Sequence, residues 1–202
     1  MTGFFRSGKR RDTVLFFLRW LKAPHLIGAI APSGRQLARA MAREVAEIPA
    51  GPIVELGGGT GSVTKALLEA GVAPERLVVV ERDAHLHLVL RDRFPDLTVL
   101  CGDASQLRAL LAPLGITQAA AIVSSLPFLS LPKLERDAIL VETVALLGEG
   151  APLVQFTYGL VSPIARLRYG LWGRVVARAW LNLPPAAVWR FEPRRAAGAN
   201  AG

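Results

Sequence analysis

A glycine-rich segment that follows a short apolar run gives the strongest chemical signal in the chain. Four glycines fall within the five positions from Gly57 to Gly61, directly after the run 52–56, which contains Glu55. This pattern is typical of a buried parallel strand that leads into a tight loop, with a helix beginning near Ser62. Glycines let the backbone approach a ligand closely, and the N–H groups of the following helical turn point toward that ligand. The spacing excludes the dinucleotide fingerprint, which needs a third glycine where Ser62 stands, and the P-loop, which needs Gly-Lys-Ser/Thr.

Two further acids stand at the ends of the next two apolar runs. Glu81 ends the second run, and Asp103 follows the third. Ligands of an open parallel sheet bind outside the carboxyl ends of its strands, so both acids are predicted to lie beside the glycine-rich segment. A carboxylate at Glu81 can accept hydrogen bonds from both hydroxyls of a ribose. The alternative role, a helix N-cap, fits Asp83 and Asp103. Three acids in register with the glycines favour a site that binds an adenosine-bearing cofactor.

The histidines do not suggest metal or hydrolase chemistry. His85 and His87 are two apart on a predicted helix, so their side chains point to different sides. No cysteine or carboxylate cluster accompanies them, and surface histidines are expected. His25 lies in a predicted connector, and no Ser-His-Asp arrangement can be assembled from the sequence.

The elements that must position these residues alternate along the chain. Strands are predicted at 52–56, 77–81, 97–101, 119–123 and 152–158, and helices at 62–70, 84–93, 105–112 and 132–147. Each strand is apolar on both faces, as expected for a parallel sheet covered on both sides. A basic, apolar connector over 159–173 precedes two further strands, 174–183 and 186–192, predicted to form an antiparallel pair. We therefore predict an α/β, Rossmann-like fold with a seven-stranded, mostly parallel sheet and an antiparallel C-terminal strand pair.

The first part of the chain is predicted to add amphipathic helices. A helix from Arg11 to Lys22 places Phe16, Phe17 and Trp20 on one side, and Arg11 and Arg19 on the other. Bulky aromatics opposite cations are typical of a helix that lies in the headgroup plane of a membrane. The alternative is an ordinary amphipathic helix packed on the domain, and the two can coexist.

A second helix is predicted to begin at Pro32-Ser33, with Ser33 as its N-cap. Its apolar face would carry Leu37, Met41 and Val45, and the segment 49–52 would end it before the first strand.

Composition limits the kind of protein and its partners. The chain has 202 residues, enough for one domain with a full core, and no segment approaches the ~20 apolar residues of a membrane span. It carries 24 Lys and Arg against 16 Asp and Glu, a net charge of +8, which favours an anionic partner, either nucleic acid or a membrane surface. The single cysteine, Cys101, excludes an intrachain disulfide and fits a reducing compartment. We expect it to be a small buried residue at a strand end. No cleavable signal peptide is predicted.

The glycine-rich segment resembles motif I of the class I S-adenosylmethionine-dependent methyltransferases. The segment Ser124-Ser-Leu-Pro-Phe128 resembles motif IV of amine-methylating enzymes, with Ser124 in place of the usual Asn. The chain as a whole resembles the bacterial phospholipid N-methyltransferases of the PmtA type, which are relatives of the rRNA adenine dimethylases. The matching segments are 28–33, 55–61, 124–128, 155–159 and 179–185, and the last two are the most specific to that family. Two departures are Gly58, where many relatives have Pro, and Ser125, where Gly is frequent and which could narrow the amine pocket.

The resemblance implies roles for individual residues. Glu55 would bind the methionine end of the cofactor, and Asp103 would bind the adenine amino group. Ser124 and a backbone carbonyl would hold the accepting nitrogen in line with the methyl group. Phe128 and Tyr158 could stabilise the resulting cation. The predicted cofactor-binding residues are Glu55, Gly57, Gly58, Gly59, Thr60, Gly61, Glu81, Arg82, Asp103, Ala104 and Ser124. The predicted catalytic residues are Ser124, Ser125 and Tyr158. The predicted substrate or membrane contacts are Phe128, Arg166, Arg168, Arg11, Phe16, Phe17, Arg19 and Trp20, and no metal is predicted.

The resemblance also implies an activity and a location. It implies methylation of phosphatidylethanolamine by S-adenosylmethionine, in one to three steps, toward phosphatidylcholine. The expected location is the cytoplasm, peripherally bound to the inner face of the cell membrane, with a phospholipid substrate, an anionic membrane surface as partner, and no nucleic acid. The domains are predicted as 1–48 (membrane-binding helices and lid), 49–195 (methyltransferase) and 196–202 (disordered tail).

Two alternatives remain open at this point. An rRNA adenine N6-dimethyltransferase would also be basic, although we expect no additional C-terminal helical domain and no interleaved aromatic stacking surface of the kind RNA binding uses. A non-catalytic S-adenosylmethionine-binding membrane protein would keep the fold, but the intact acids argue against it. The residue that accepts the proton of the amine is also open, with Tyr158, Ser125 and solvent as candidates.

Overall fold

The chain forms a seven-stranded sheet with helices on both faces, which confirms the predicted α/β fold. The computed structural model describes residues 32–158, 161–180 and 185–194. The strands are β1 (Ile53–Leu56), β2 (Leu77–Glu81), β3 (Thr98–Cys101), β4 (Ala121–Ser124), β5 (Leu153–Tyr158), β6 (Leu171–Ala179) and β7 (Ala186–Pro193). The α-helices are α1 (Pro32–Ala46), α2 (Ser62–Glu69), α3 (Ala84–Arg93), α4 (Leu107–Leu111) and α5 (Lys133–Leu146). Short 3-10 turns span Pro74–Arg76, Ala104–Gln106, Ala112–Leu114 and Arg166–Tyr169.

The order of the strands fixes where a ligand can bind. The order is β3-β2-β1-β4-β5-β7-β6, with parallel pairing from β3 to β5. β7 pairs antiparallel with both β5 and β6, as predicted for the C-terminal pair. The chain moves outward from β1 to β3 and then returns to the other side of β1 to form β4. The carboxyl ends of β1 and β4 therefore lie at the topological switch point, where open sheets of this kind bind ligands.

The core consists of two layers, one on each face of the sheet. Alternating strand residues belong to different layers, so that Val54 packs in one cluster and Ile53 in the other. The first layer includes residues of α4 and α5, such as Leu107 and Leu140, and the second includes Met41 of α1 and Leu67 of α2. The central strands are buried on both faces, which explains why they read as continuous apolar runs.

Helix α1 is packed on the sheet and tied to its last strand. The side chains of Met41, Ala42 and Val45 are buried in the second layer. The Arg190 guanidinium of β7 donates to the Glu44 carbonyl oxygen at 2.7 Å and lies 3.3 Å from the Glu44 carboxylate. The helix begins at Pro32, so the prediction of Ser33 as N-cap was wrong. Proline suits the first helical position because its fixed φ is helical and its missing N–H would be unpaired there anyway.

Strand β3 differs from the expectation that every strand is covered on both faces. It is one of the two edge strands of the sheet. Thr98 and Cys101 at its ends are exposed, and the two residues between them are half-buried. Cys101 is therefore exposed, and the prediction that it is a buried residue was wrong.

Some predicted boundaries also shift. β6 begins at Leu171, so the predicted connector 159–173 ends three residues earlier, after a turn in which Gly170 has a φ of 63°. The helix predicted at 105–112 is a shorter α4 between two 3-10 turns. β4 is shifted to Ala121–Ser124, and Ala119 forms an isolated bridge to Leu147. The predicted disordered tail 196–202 lies outside the described residues.

Candidate active site

The glycine loop (residues 57–61) connects β1 to α2 at the switch point of the sheet. Gly57 and Gly61 have φ values of 76° and 82°, in the left-handed region that glycine enters without strain. The start of the loop is hydrogen-bonded to β2, because the Gly57 N–H donates to the Val80 carbonyl at 2.8 Å. Its far end is held by Arg93 of α3, whose guanidinium donates to the Thr60 carbonyl at 2.8 Å. The loop is thus fixed to the scaffold at both ends.

Gly58 and Gly61 are required by the packing of the loop onto neighbouring elements. A Cβ at Gly58 would lie 2.5 Å from Val79 Cγ1, and one at Gly61 would lie 2.4 Å from the Phe94 ring. The predicted role of these glycines, close approach of a cofactor, therefore accompanies a second role in packing the loop onto β2 and α3. The loop as packed here has no room for the ring of the proline that many resembling sequences carry at position 58.

Glu81, at the end of β2, binds the glycine loop directly. Its Oε2 accepts a hydrogen bond from the Gly59 N–H at 2.8 Å, and its Oε1 accepts one from the Asp83 N–H at 2.8 Å. A carboxylate oxygen can accept more than one hydrogen bond, so both oxygens retain capacity for the hydroxyls of a ribose. The carboxylate predicted to bind a ribose is therefore also the group that orders the loop.

Glu55, in β1, is fully buried beneath the glycine loop. The Thr64 hydroxyl of α2 donates to Glu55 Oε2 at 2.8 Å, while Glu55 Oε1 is buried without a hydrogen-bond partner. Burial raises the pKa of Glu55 to about 8, against the opposing effect of the hydrogen bonds from Thr64. The side chain is therefore largely protonated at pH 7 when no cation is nearby. Sequence analysis missed Thr64, although a polar residue in an otherwise apolar helical face was a possible signal.

Asp103 follows β3 and is both an N-cap and part of an ion-pair network. Its Oδ1 accepts from the Ser105 N–H at 2.8 Å, so the predicted alternative role as N-cap is confirmed, as it is for Asp83 at the start of α3. Its Oδ2 lies 3.4 Å from the Arg82 guanidinium, which also contacts Glu135 at 2.7 Å. Although burial opposes ionisation, the Ser105 and Arg82 hydrogen bonds hold the pKa of Asp103 below its usual value. Asp103 is therefore an ionised acceptor, whereas the Arg82 guanidinium is already bound to two carboxylates.

Ala104 and the acceptor loop (residues 125–128) complete this edge of the sheet. Ala104 is buried where the 3-10 turn begins. Ser124, the last residue of β4, is fully buried, and its Oγ accepts a hydrogen bond from the Leu126 N–H at 3.3 Å. Ser125 is half-buried, and its N–H donates to the Leu56 carbonyl of β1 at 3.0 Å. Ser125 is therefore the partly exposed serine of the two, whereas Ser124 is buried and its hydroxyl is hydrogen-bonded within the acceptor loop.

Phe128 was predicted to cover the amine, but its side chain lies in the core. It is 1% exposed and packs in the first layer with residues such as Leu140. An aromatic that follows a proline in a loop turn can equally be a core residue, and the structure gives Phe128 that placement. Tyr158, at the end of β5, is half-buried, and its ring meets the Phe156 ring edge-on at 4.8 Å. Burial raises the pKa of Tyr158, so it is a neutral phenol at physiological pH.

Gln155 is a residue of this region whose role sequence analysis did not identify. It is fully buried in β5, directly opposite Ser124 in the register of the sheet. Its Nε2 donates to the Leu126 carbonyl of the acceptor loop at 2.9 Å. A glutamine in a buried, mostly apolar strand was the available signal.

Arg168, a predicted substrate or membrane contact, forms an ion pair with Asp137. Its guanidinium lies 3.0 Å from Asp137 Oδ2, and Lys133 lies 3.0 Å from the same oxygen. The Tyr169 hydroxyl donates to Asp137 Oδ1 at 2.7 Å. The hydrogen bonds from Tyr169 and Lys133 lower the pKa of Asp137 to about 2. Arg168 is nevertheless half exposed, so it can still meet a ligand.

Other predicted contacts cannot be placed. Arg166 lies in the neighbouring 3-10 turn, but its side chain is outside the described part. Arg11, Phe16, Phe17, Arg19 and Trp20 lie outside the described residues. Among the described residues, no three metal-ligating side chains cluster, and no helix has the length and apolar content to cross a membrane.

The arrangement fits S-adenosylmethionine, which carries an adenosine and a positively charged methionine end. Glu81 and Asp103 would hold the adenosine, because both are carboxylates at adjacent strand ends with remaining acceptor capacity. Glu55 Oε1, a buried polar atom without a partner, fits the cationic end. Bound there, the cofactor would supply an electrophilic methyl group at the edge where β1 and β4 end.

Solved structures with the same fold define the class of protein. The N-methyltransferase NodS from Bradyrhizobium japonicum WM9, solved with S-adenosyl-L-homocysteine, superposes with a TM-score of 0.68 at 16% identity, covering 90% of this chain and 98% of that one. Magnesium protoporphyrin IX methyltransferase (ChlM) from Synechocystis PCC 6803, solved with S-adenosylmethionine, gives a TM-score of 0.63 at 12% identity, covering 94% of this chain and 100% of that one. The fold is that of the class I S-adenosylmethionine-dependent methyltransferases.

Comparison of sequences then shows the family. The ornithine lipid N-methyltransferase of Singulisphaera acidiphila is 37% identical over 131 residues, which are 63% of this chain and 68% of that protein. The chain belongs to the family of this lipid N-methyltransferase, and it is an S-adenosylmethionine-dependent N-methyltransferase. The ribosomal RNA small subunit methyltransferase A of Phenylobacterium zucineum is 39% identical over 79 residues, which are 38% of this chain and only 26% of that protein. No family model matches the sequence.

Proposed function

We propose that this enzyme methylates the amine of a membrane-lipid headgroup, with phosphatidylethanolamine and its mono- and dimethyl derivatives as acceptors and phosphatidylcholine as the end product. The observation that carries the proposal is membership of a family with a lipid N-methyltransferase at 37% identity. The segments 155–159 and 179–185, which resemble the phospholipid N-methyltransferases of the PmtA type, favour phosphatidylethanolamine among lipid amines. We place the enzyme peripherally on the cytoplasmic face of the cell membrane.

The chemistry requires a neutral amine whose lone pair faces the methyl group. A primary ammonium with a pKa near that of lysine, ~10.4, must first lose a proton. Tyr158 is a neutral phenol, and Glu55 is buried beneath the glycine loop, where its carboxylate would face the cationic end of the cofactor, so neither is suited to take that proton at pH 7. We infer that water removes it, and that the protein contributes the positioning of amine and cofactor. Ser125, half-buried at the edge of the acceptor loop, is the hydroxyl available to orient the amine.

Exposed apolar side chains at the edge of the sheet that holds the site support a lipid substrate. Ala179, the last residue of β6, pairs with Ala186 of β7, and Ala186 pairs on its other side with Tyr158, the last residue of β5. Trp180 is the next residue after Ala179, so it lies at the carboxyl edge of the sheet. Leu129 and Leu134 follow the end of β4, and Val161 follows the end of β5. We name these four residues the apolar rim: Leu129 is 46% exposed, Leu134 84%, Val161 71% and Trp180 61%.

Cations accompany the apolar rim. Arg178 lies over the Trp180 ring at 5.3 Å, and both Lys133 and Arg168 are more than half exposed. Apolar side chains beside cations suit a surface that meets an anionic bilayer, because each Lys or Arg near such a surface contributes ~1 kcal/mol of attraction. A lipid amine would then reach the acceptor loop without leaving the membrane surface.

The activity for which the relative from Singulisphaera acidiphila is named favours a second acceptor, an ornithine lipid. Both lipids present an amine at the membrane surface, so the same edge of the sheet would serve either. They differ in charge, because the phospholipid carries a phosphate next to its amine.

Expression in a bacterial host that makes phosphatidylethanolamine but no phosphatidylcholine tests the proposal. Lipids are extracted and resolved by headgroup, with an empty vector as control. Mono-, di- or trimethylated phosphatidylethanolamine is expected. The same experiment in a host that also makes ornithine lipids separates the two acceptors, since methylated ornithine lipid with unmodified phosphatidylethanolamine would overturn the first choice.

A further inference from the structure

We propose that Gln155 is a positioning residue for methyl transfer, because its side-chain amide fixes the acceptor loop against the glycine loop. The proposal deepens the N-methyl transfer proposed above and holds for either lipid amine. Nothing in the predicted site assigned this role to Gln155, which is fully buried in β5 and lies opposite Ser124.

The orientation of the Gln155 amide is determined by its partners. Nε2 donates to the carbonyl oxygen of Leu126 at 2.9 Å and also to the carbonyl oxygen of Phe156. Both partners are acceptors only, so the flipped amide would place Oε1 against two carbonyl oxygens. Oε1 instead remains buried and has no hydrogen-bond partner.

This arrangement is not the one that stability alone would favour. An unpaired buried acceptor costs about 1–3 kcal/mol, and an apolar side chain of similar size would avoid that loss. The two donated hydrogen bonds are therefore what the amide provides. They connect the middle of β5 to the acceptor loop that follows β4.

The residue held by Gln155 is the contact between the two loops of the site. The Leu126 side chain fills the space left by the missing Cβ of Gly57, since a Cβ there would lie 2.8 Å from Leu126 Cδ2. The Leu126 carbonyl is held by Gln155 on one side and by the Phe128 N–H at 2.9 Å on the other. Movement of Leu126 would change the distance between the glycine loop and the acceptor loop.

That distance controls the rate of an in-line transfer. The reacting atoms must approach to about 3–3.5 Å, and a displacement of about 1 Å can lower the rate about 100-fold. The residues proposed to bind the cofactor, Glu55, Glu81 and Asp103, belong to β1, β2 and the turn after β3, which β4 separates from Gln155 on β5. Loss of the amide is therefore expected to lower kcat while leaving cofactor affinity and folding unchanged.

The test compares Gln155→Leu with Thr157→Val, a matched control two residues along the same strand. Thr157 is also buried and polar, and its hydroxyl donates a hydrogen bond to the neighbouring Tyr158 carbonyl at 3.4 Å. We expect Gln155→Leu to lower kcat about 10- to 100-fold, with the Kd for S-adenosylmethionine within about twofold of wild type and no decrease in Tm. Thr157→Val should keep kcat within about twofold.

A second variant, Gln155→Glu, guards against a purely structural loss. Its carboxylate would face two carbonyl oxygens when ionised but could donate one hydrogen bond when protonated. Its kcat relative to wild type at the same pH should therefore rise several-fold from pH 8.5 to pH 6. A kcat within twofold of wild type for Gln155→Leu would overturn the proposal. So would a parallel loss of cofactor affinity, or loss of the folded state in both variants.

Hydrogen exchange gives a readout that does not depend on the lipid. In Gln155→Leu, the amides of Leu126 and Phe128 should exchange faster than in wild type, whereas in Thr157→Val they should not. Unchanged exchange would overturn the proposed positioning even if no lipid were methylated. Failure of wild-type turnover with faster exchange in the variant would contradict only the proposed lipid substrate.

Discussion

Replacement of Glu55 by glutamine is expected to stabilise the protein increasingly as the pH rises. Glu55 is fully buried, and its folded-state pKa is about 8 against an ordinary value of 4.5. Between these two values the unfolded chain has released the proton while the folded chain retains it. Unfolding is therefore favoured as the pH rises through this window, and the stability associated with the protonated carboxyl is fully present below pH 4.5.

The magnitude follows from the two pKa values. Their difference, from 4.5 to about 8, corresponds to a total of about 5 kcal/mol at 1.36 kcal/mol per pH unit. The penalty is about 1 kcal/mol at pH 5, about 3 kcal/mol at pH 6.5 and about 4 kcal/mol at pH 8. Glutamine has the same shape and no charge, and its amide oxygen can accept the hydrogen bond from Thr64. The variant therefore removes the titration and keeps the packing.

Denaturant unfolding of wild type and Glu55→Gln at these three pH values measures the effect. The difference in free energy of unfolding between the two proteins should grow by about 3 kcal/mol from pH 5 to pH 8 in favour of the variant. A difference that stays constant across this range would refute the reasoning, since Glu55 would then not titrate within it.

The cofactor provides a second observation on the same group. A cation beside Glu55 favours its ionised form, so binding of S-adenosylmethionine at pH 7 should release close to one proton. Calorimetry in two buffers of different ionisation enthalpy measures this release. Glu55→Gln should release none. Equal proton release by both proteins would place the cationic end of the cofactor away from Glu55.

Three further predictions concern the packing of the glycine loop and the edge of the sheet. Gly58→Ala should lower the free energy of unfolding by about 1–3 kcal/mol, because its Cβ would lie 2.5 Å from Val79 Cγ1. Adding Val79→Ala to this variant should recover part of the lost stability. A Gly58→Ala variant as stable as wild type would contradict this packing. Trp180→Ala should weaken co-sedimentation with anionic vesicles, whereas Trp172→Ala, the matched control at the opposite end of β6, should not. Equal effects of the two substitutions would contradict membrane contact at the carboxyl edge of the sheet. Asp137→Asn should strengthen binding to the same vesicles, since it removes the acid that neutralises two exposed cations, and weaker binding would argue against contact at that position.

The parts of the site that could be predicted are those with local signals. Glu55 and the glycines stand next to each other in sequence, and the apolar run before them reads as a buried strand without knowledge of its neighbours. Glu81 and Asp103 follow from the same rule, because parallel strands bring their carboxyl ends to one edge. The class of fold and an adenosine-bearing cofactor followed from these residues, and the resemblance to motif I identified that cofactor as S-adenosylmethionine.

The parts that could not be predicted depend on contacts between distant segments. Cys101 is exposed because β3 is an edge strand, and strand order is not encoded in the apolar pattern of one strand. The partner of Gln155, the Leu126 carbonyl, lies 29 residues away along the chain. Gly58 was predicted from its sequence context to contact the cofactor, but the absence of a Cβ there also leaves room for Val79 of β2. Phe128, similarly, is drawn into the core by apolar neighbours on other elements.

This enzyme is proposed to transfer a methyl group from S-adenosylmethionine to a lipid amine. Incubation of the purified protein with S-adenosylmethionine labelled in its methyl group, and with either phosphatidylethanolamine vesicles or ribosomal small subunits, tests it most directly. Label is expected in the lipid fraction, with an equal amount of S-adenosylhomocysteine released, and none in RNA. Label in RNA and not in lipid would contradict the account, and so would cofactor binding in the presence of vesicles without any release of S-adenosylhomocysteine.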